Sequence, residues 1–208
     1  MEAFTEVRGI AAPMLTINID TDQIIPARFL GGTDAKGYGA ALFANARFLP
    51  DGAPNPGFVL NRPPYDRARI LLADRNFGCG SSRERAPKAL REFGFRAILA
   101  PSFGGIFFNN CFRNGLLPVE LPIEQVRTIA AEVEASGGTG EVGVDLRTQR
   151  VASPSGIEFA FESPQTLREM LLAGVDEIGL TLAARPEIER FRAADRARRP
   201  WAYTAPRG

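Results

Sequence analysis

The sequence predicts an α/β protein: a parallel or mixed central sheet covered by helices, followed by a small antiparallel element. Three observations carry this. Residues 68–121 run strand, helix, strand, helix, strand, the order from which parallel sheets are built. Two of those strands, ARILLAD at 68–74 and RAILA at 96–100, are nearly continuous apolar runs, as strands buried on both faces are. Further on, EVGVDL at 141–146 alternates, and VAS and IEFAFE (157–162) return as short strands. With 208 residues, 45% apolar and 24% charged, the chain has an ordinary globular composition, which excludes collagen, coiled coil and wholesale disorder.

Taken in order, Thr16 to Asp20 (TINID) alternates and predicts a short strand turned by Thr21-Asp22. Residues 31–39 hold four glycines and read as a mobile loop, 40–49 as a helix, and Pro50 to Pro64, with five prolines, as an extended surface excursion. After the 68–74 strand comes the loop RNFGCGSS, then a helix beginning between Arg83 and Ala86, with Pro87 in its first turn and Gly94 past its end. A second helix is expected from Ile106 to Arg113, closed by Asn114-Gly115, and a third strand at 116–121. Glu124 to Ala135, Pro164 to Leu172 and Pro186 to Arg199 have helical patterns.

Composition excludes several kinds of function. The net charge of +1 gives no global field for nucleic acid or an anionic membrane, and no apolar run nears the roughly 18 residues of a span. Six arginines against three acids in 185–199 read as a solvated face or a partner contact rather than a nucleic-acid site. The first residues do not form a secretory signal, so a cytoplasmic location is expected. There is no histidine, which removes Ser-His-Asp and Cys-His catalysis within the chain and every histidine-containing metal site. Cys79 and Cys111 are too few for a four-thiolate centre and are expected to be reduced and unpaired, serving packing. Phe107, Phe108 and Phe112 are expected in the core. Lys36 and Lys88 are the only lysines, so anions must be recognised by arginine or backbone N–H groups.

The segment Asn76-Phe77-Gly78-Cys79-Gly80-Ser81-Ser82-Arg83-Glu84 joins a buried strand to a helix. Two glycines permit close backbone approach, and unpaired N–H groups at a helix start favour an anion. In an open α/β sheet this is also the carboxyl end of a strand, where ligands bind. An equally simple reading makes Ser81 or Ser82 an N-cap and the glycines a turn.

NFGCGSSRE resembles the active-site loop of the swivelling domain of the aconitase superfamily, and Asp20-Thr21-Asp22-Gln23-Ile24-Ile25-Pro26-Ala27-Arg28-Phe29-Leu30 resembles that domain's other signature. ILAPSFGGIFFNNCFRNGLLPVEL at 98–121 and IGLTLA at 178–183 continue the resemblance, which spans about 15–185. In length and pattern the chain is most similar to the small subunits of bacterial isopropylmalate isomerases. The resemblance implies a layered β/β/α swivelling domain over 1–185, with 186–208 as a C-terminal Arg-rich helix and tail. It implies a two-chain hydro-lyase of leucine biosynthesis, converting 2-isopropylmalate to 3-isopropylmalate by dehydration and rehydration. No cofactor is expected in this chain; a [4Fe–4S] cluster is expected on the large subunit, which with a small dicarboxylate substrate would be its partner. By motif, Ser81 would be the base, Arg83 would stabilise its alkoxide and bind substrate, Ser82 would hold a carboxylate, and Arg28 would anchor a second one. Gly31 and Gly32, where relatives that take a third carboxylate carry an arginine, would leave room for an apolar arm, or serve only as a hinge.

The resemblance has departures. Its common S-S-R-E-H-A-P-W-A-L is here Ser81 to Leu90 with Arg85 and Lys88 in place of His and Trp, and T-R-T-G-F-G is here Thr33 to Gly39 (TDAKGYG). These leave open a paralogous small subunit acting on another substituted malate. A non-catalytic anion-binding or assembly module is the rival from another class.

Overall fold

The computed structural model describes residues 1–29, 31, 37–81 and 83–203, apart from the side chain of Glu177. Its strands are β1 (Glu6–Met14), β2 (Ile70–Ala73), β3 (Ala97–Ala100), β4 (Leu117–Glu120), β5 (Glu141–Asp145), β6 (Arg150–Ala152) and β7 (Glu158–Ala160). Its helices are α1 (Thr21–Ile24), α2 (Ala44–Arg47), α3 (Arg85–Phe93), α4 (Gly105–Arg113), α5 (Ile123–Ala135), α6 (Gln165–Ala173), α7 (Glu177–Ala183) and α8 (Arg185–Arg198). Contacts divide the chain into two compact units, Met1–Gly174 and Val175–Gly208, a division earlier than the 185/186 boundary that the sequence predicts.

The first unit is built on one mixed seven-stranded sheet in the order β4-β3-β2-β1-β5-β6-β7. β1 to β4 are parallel neighbours, and β5 to β7 extend the sheet antiparallel from the other side of β1. The expected antiparallel element is therefore continuous with the parallel half. Successive residues of β2 and β3 feed opposite faces, as the two-residue strand period requires. Ile70, Leu72, Ala97 and Leu99 join one core with Val126, Ile129 and Val133 of α5 and Leu171 of α6. Leu71, Ala73, Ile98 and Ala100 join the other with Ile24, Ile25, Ala86, Ala89 and Leu90. Burial on both faces is why these strands read as unbroken apolar runs.

β1 escapes the sequence patterns, and its Pro13 shows why. A proline cannot donate to a ladder, so it argues against a central strand. Here β5 pairs only with Glu6–Ile10, while β2 pairs with Ala11–Met14. Beyond Ile10 no described strand pairs with β1 on the β5 side, and Pro13 sits where a proline is tolerated. Conversely, the alternation at 16–20 is no strand. Only Asp20 forms an isolated bridge, to Cys79, and its side chain caps α1 by accepting from the Gln23 N–H at 2.7 Å. The helix expected over 40–49 is two short pieces, a 3₁₀ turn over Tyr38–Ala41 and α2, separated by Phe43 in a left-handed conformation.

The second unit holds α7 and α8. Asp176 caps α7 by accepting from the Gly179 N–H at 2.7 Å. In α8, Asp195 is buried: Arg199 donates to both its oxygens at 2.8 Å, and Tyr203 donates at 3.0 Å. The Arg199 guanidinium holds this carboxyl below the usual carboxylate range. No helix among the described residues is long and apolar enough to cross a membrane.

Candidate active site

Three loops meet at the carboxyl ends of β1, β2 and β3, the edge at which open α/β sheets bind ligands. They are stitched together by backbone: the Gly78 N–H donates to Ile19 O at 2.7 Å, the Thr21 N–H to Cys79 O at 3.0 Å, and the Gly104 N–H to Phe77 O at 2.9 Å. Asn18 and Asn76 both take left-handed conformations, and the Asn76 amide donates to Asn18 Oδ1 at 2.8 Å.

The two glycine positions that matter most are where these loops touch. A Cβ on Gly78 would lie 2.2 Å from the Phe107 ring, and a Cβ on Gly104 would lie 2.4 Å from the Gly78 carbonyl oxygen. Between the loops opens a cleft of about 200 Å³ lined by Thr21, Gly78–Ser81, Arg83 and Gly104–Phe107. Gly104 and Gly105 start α4, whose first N–H groups at Gly105, Ile106 and Phe107 make no backbone hydrogen bond among the described residues.

Ser81 is exposed on the cleft, and no described residue hydrogen-bonds its hydroxyl; its carbonyl accepts from the Thr21 hydroxyl at 2.7 Å. It is not an N-cap, because α3 starts at Arg85 and Glu84 occupies the cap position. Arg83 is largely buried, its side chain 15% exposed. Its Nη2 lies 2.6 Å from Asp22 Oδ1, and Nη1 donates to Ile25 O at 3.4 Å, so the guanidinium is fixed before any ligand arrives.

Of the other expected site residues, Arg28 and Gly31 are described. Arg28 is exposed, donates to Asn45 Oδ1 at 2.6 Å and stacks 4.7 Å from the Phe29 ring. It does not line the cleft; Asn45 lines a neighbouring cavity of about 330 Å³ with Asp20 and Asp22. Gly31 is not a lining residue, and a Cβ there would meet nothing within 4 Å. Ser82 and Gly32, with most of the stretch 30–36, fall outside the described residues. Thr21, Asp22, Gly104, Gly105 and Ile106 were not anticipated as site residues. The signal for the last three was present: PSFGG at the end of a buried strand repeats the strand–glycine–helix order of 70–93.

Of the two thiols, Cys79 lines the cleft, while Cys111 is buried and burial pushes its pKa well above the ordinary thiol range. Phe107 and Phe112 are buried as expected, and Phe108 packs against the core. The departures at 85 and 88 converge on one residue. Arg85 Nε donates to the Tyr38 hydroxyl at 3.0 Å, and Lys88 Nζ lies 5.1 Å from the same ring. Glu92 completes the cluster by accepting from the Tyr38 and Gly39 N–H groups at 2.5 and 3.1 Å.

A mixed sheet whose parallel strand ends gather a serine, an arginine and two glycine turns defines an aconitase-type swivelling domain, and the family model described as the aconitase C-terminal domain matches residues 1–124. A solved structure titled 3-isopropylmalate dehydratase, from Methanocaldococcus jannaschii, superposes with a TM-score of 0.63 at 25% identity, covering 90% of this chain and 99% of that one. A protein of Cupriavidus necator named 3-isopropylmalate dehydratase small subunit is 53% identical over 205 residues, 98% of this chain and 99% of its own. One of the same name from Rhodospirillum centenum is 49% identical over 202 residues, 97% and 99% of the two chains. The chain belongs to the family of 3-isopropylmalate dehydratase small subunits.

Proposed function

We propose that this chain is the small subunit of a heteromeric hydro-lyase (EC 4.2.1.33) that isomerises 2-isopropylmalate to 3-isopropylmalate in the cytoplasmic pathway to leucine. The observation that carries this reading is the pairing, in one cleft, of a Ser81 hydroxyl without a described partner and an Arg83 guanidinium already held by Asp22. A serine is a poor base unless its alkoxide is stabilised by donors and positive charge. Arg83 supplies the charge, and the first N–H groups of α4 belong to residues that line the same cleft.

In this reading Ser81 Oγ takes the proton from the carbon beside a carboxylate, and Arg83 holds that carboxylate. Loss of the neighbouring hydroxyl, which takes a proton from a general acid on the large subunit and leaves as water, gives the unsaturated dicarboxylate, and the same acid recovers that proton when water adds back. Returning water across the double bond in the opposite sense, with the Ser81 proton going back to carbon, gives the isomer. The residues of this chain do not fit an iron–sulfur cluster: among the described residues no group of three or more His, Cys, Asp or Glu could hold a metal ion. The [4Fe–4S] centre belongs, in this proposal, to a large subunit that closes over the cleft.

The departures at Arg85 and Lys88, which gather on Tyr38, keep one second reading, a small subunit for another 2-substituted malate. Co-expression with the large subunit encoded in the same genome, followed by anaerobic assay on 2-isopropylmalate and other 2-substituted malates, tests both. Turnover of 2-isopropylmalate supports the first, and turnover confined to another malate supports the second. A stable complex inactive on all of them returns the chain to an anion-binding or assembly role.

A further inference from the structure

The cleft has one feature that neither a base nor a carboxylate anchor uses. Ile106, the second residue of α4, is 58% exposed although it lines the cleft. The other described lining residues are glycines, polar groups, Cys79 and Phe107. Phe107 is only 3% exposed, its ring lying over Gly78 and edge-on to Phe77 at 5.5 Å. Ile106 is thus the one branched apolar surface among the described lining that a ligand can cover. The approach is open, since a Cβ on the preceding Gly105 would meet nothing within 4 Å.

The substrate in the proposed reading has charged ends and a single alkyl arm. Arg83 and the α4 N–H groups suit the carboxylates; neither suits hydrocarbon. We infer that Ile106 is the surface against which the alkyl arm packs, and so a specificity-determining residue of this site. The inference rests on the reading of the cleft as the substrate site.

The test is the ratio of kcat/KM for 2-isopropylmalate to that for 2-methylmalate, measured on the reconstituted two-chain enzyme. The two substrates differ by carbons that only the longer arm presents to Ile106. Ile106→Ala should lower the ratio about tenfold, the scale on which apolar pockets distinguish neighbouring alkyl groups. Ile106→Val, which keeps the branch, should hold it within about threefold of wild type. Size-exclusion chromatography and melting temperature establish that each variant folds and assembles. An unchanged ratio in an assembled Ile106→Ala enzyme overturns the assignment while leaving the function of the cleft intact. Equal losses on both substrates, or failure to co-elute with the large subunit, make Ile106 a structural or subunit contact and also overturn it. Failure of the wild-type complex on 2-isopropylmalate and 2-methylmalate alike is seen before any variant is made, and overturns the underlying reading itself.

Discussion

Asp22 holds Arg83: their side chains meet at 2.6 Å, joining α1 to the loop after β2. The arginine reaches the cleft already oriented, and Asp22 also lines the neighbouring cavity. Asp22→Asn removes the charged partner and leaves the shape. It should lower kcat/KM about tenfold, the scale of a hydrogen bond to a charged group. Arg83→Lys keeps a charge but loses the planar fork, so kcat and KM should both suffer. Steady-state kinetics of the reconstituted variants decide this, and a wild-type kcat/KM for Asp22→Asn would separate the ion pair from function.

Ser81→Ala tests the base. It should lower kcat about 10²–10⁴-fold, the contribution of a positioned acid–base group, with little change in KM. Because no described residue hydrogen-bonds the hydroxyl, stability should stay within about 0.5 kcal/mol of wild type. Near-normal turnover would move proton abstraction to another group.

Gly104→Ala tests the contact between loops. The new Cβ would lie 2.4 Å from a backbone oxygen, which cannot step aside as a flexible side chain would. A loss of about 1–3 kcal/mol in urea denaturation is expected, the usual cost of overpacking. Gly105→Ala, whose Cβ would meet nothing within 4 Å, should be neutral by comparison. Equal stabilities for the two variants would refute the close approach.

Tyr38 and Arg85 should be energetically coupled. Tyr38→Phe and Arg85→His restore the pattern common in the family, and each alone breaks the 3.0 Å hydrogen bond. Their combined destabilisation should fall short of the sum by about 0.5 kcal/mol, as coupled neighbours do. Strict additivity would show that the pair contributes nothing.

Acid should weaken the first unit through Glu2. Arg96, by hydrogen bond and charge, and then Arg91 hold its carboxyl below the ordinary value of 4.5. A lowered folded-state pKa means that the unfolded chain binds the proton first. The stabilisation is therefore complete above about pH 5 and is lost as pH falls through the folded-state value. Denaturation midpoints from pH 7 to pH 3 should fall less steeply for Glu2→Gln than for wild type; parallel curves would rule out this linkage.

The run from β2 to β4 was legible because strands buried on both faces leave unbroken apolar segments, and because Gly94 and Gly115 stop their helices where the sequence marks them. β1 was not: its Gly9 and Pro13 weaken any strand pattern, and it is tolerated only because its two halves pair on different sides. The loop at 78–83 could be found from glycine, serine and arginine before a helix. Its partner Asp22 could not, because an ion pair between a helix and a loop distant in sequence has no local sequence signal. Arg28, which the motif offers as an anchor for a second carboxylate, donates to Asn45 and is not among the residues lining the cleft.

The placement of β1 also bears on how the molecule comes to exist. This strand precedes the other six, yet Val7 is a sheet neighbour of Val144 and Ala11 of Ile70. On the ribosome, its later half can be matched once β2 is made, while its earlier half must wait for β5. Pairings this distant in sequence are slow to close and leave an unpaired edge in the meantime. A nascent chain stalled before residue 141 would carry the complete serine–arginine loop on a sheet with one side still open. That open edge is the part of the unfinished sheet free to pair with another chain.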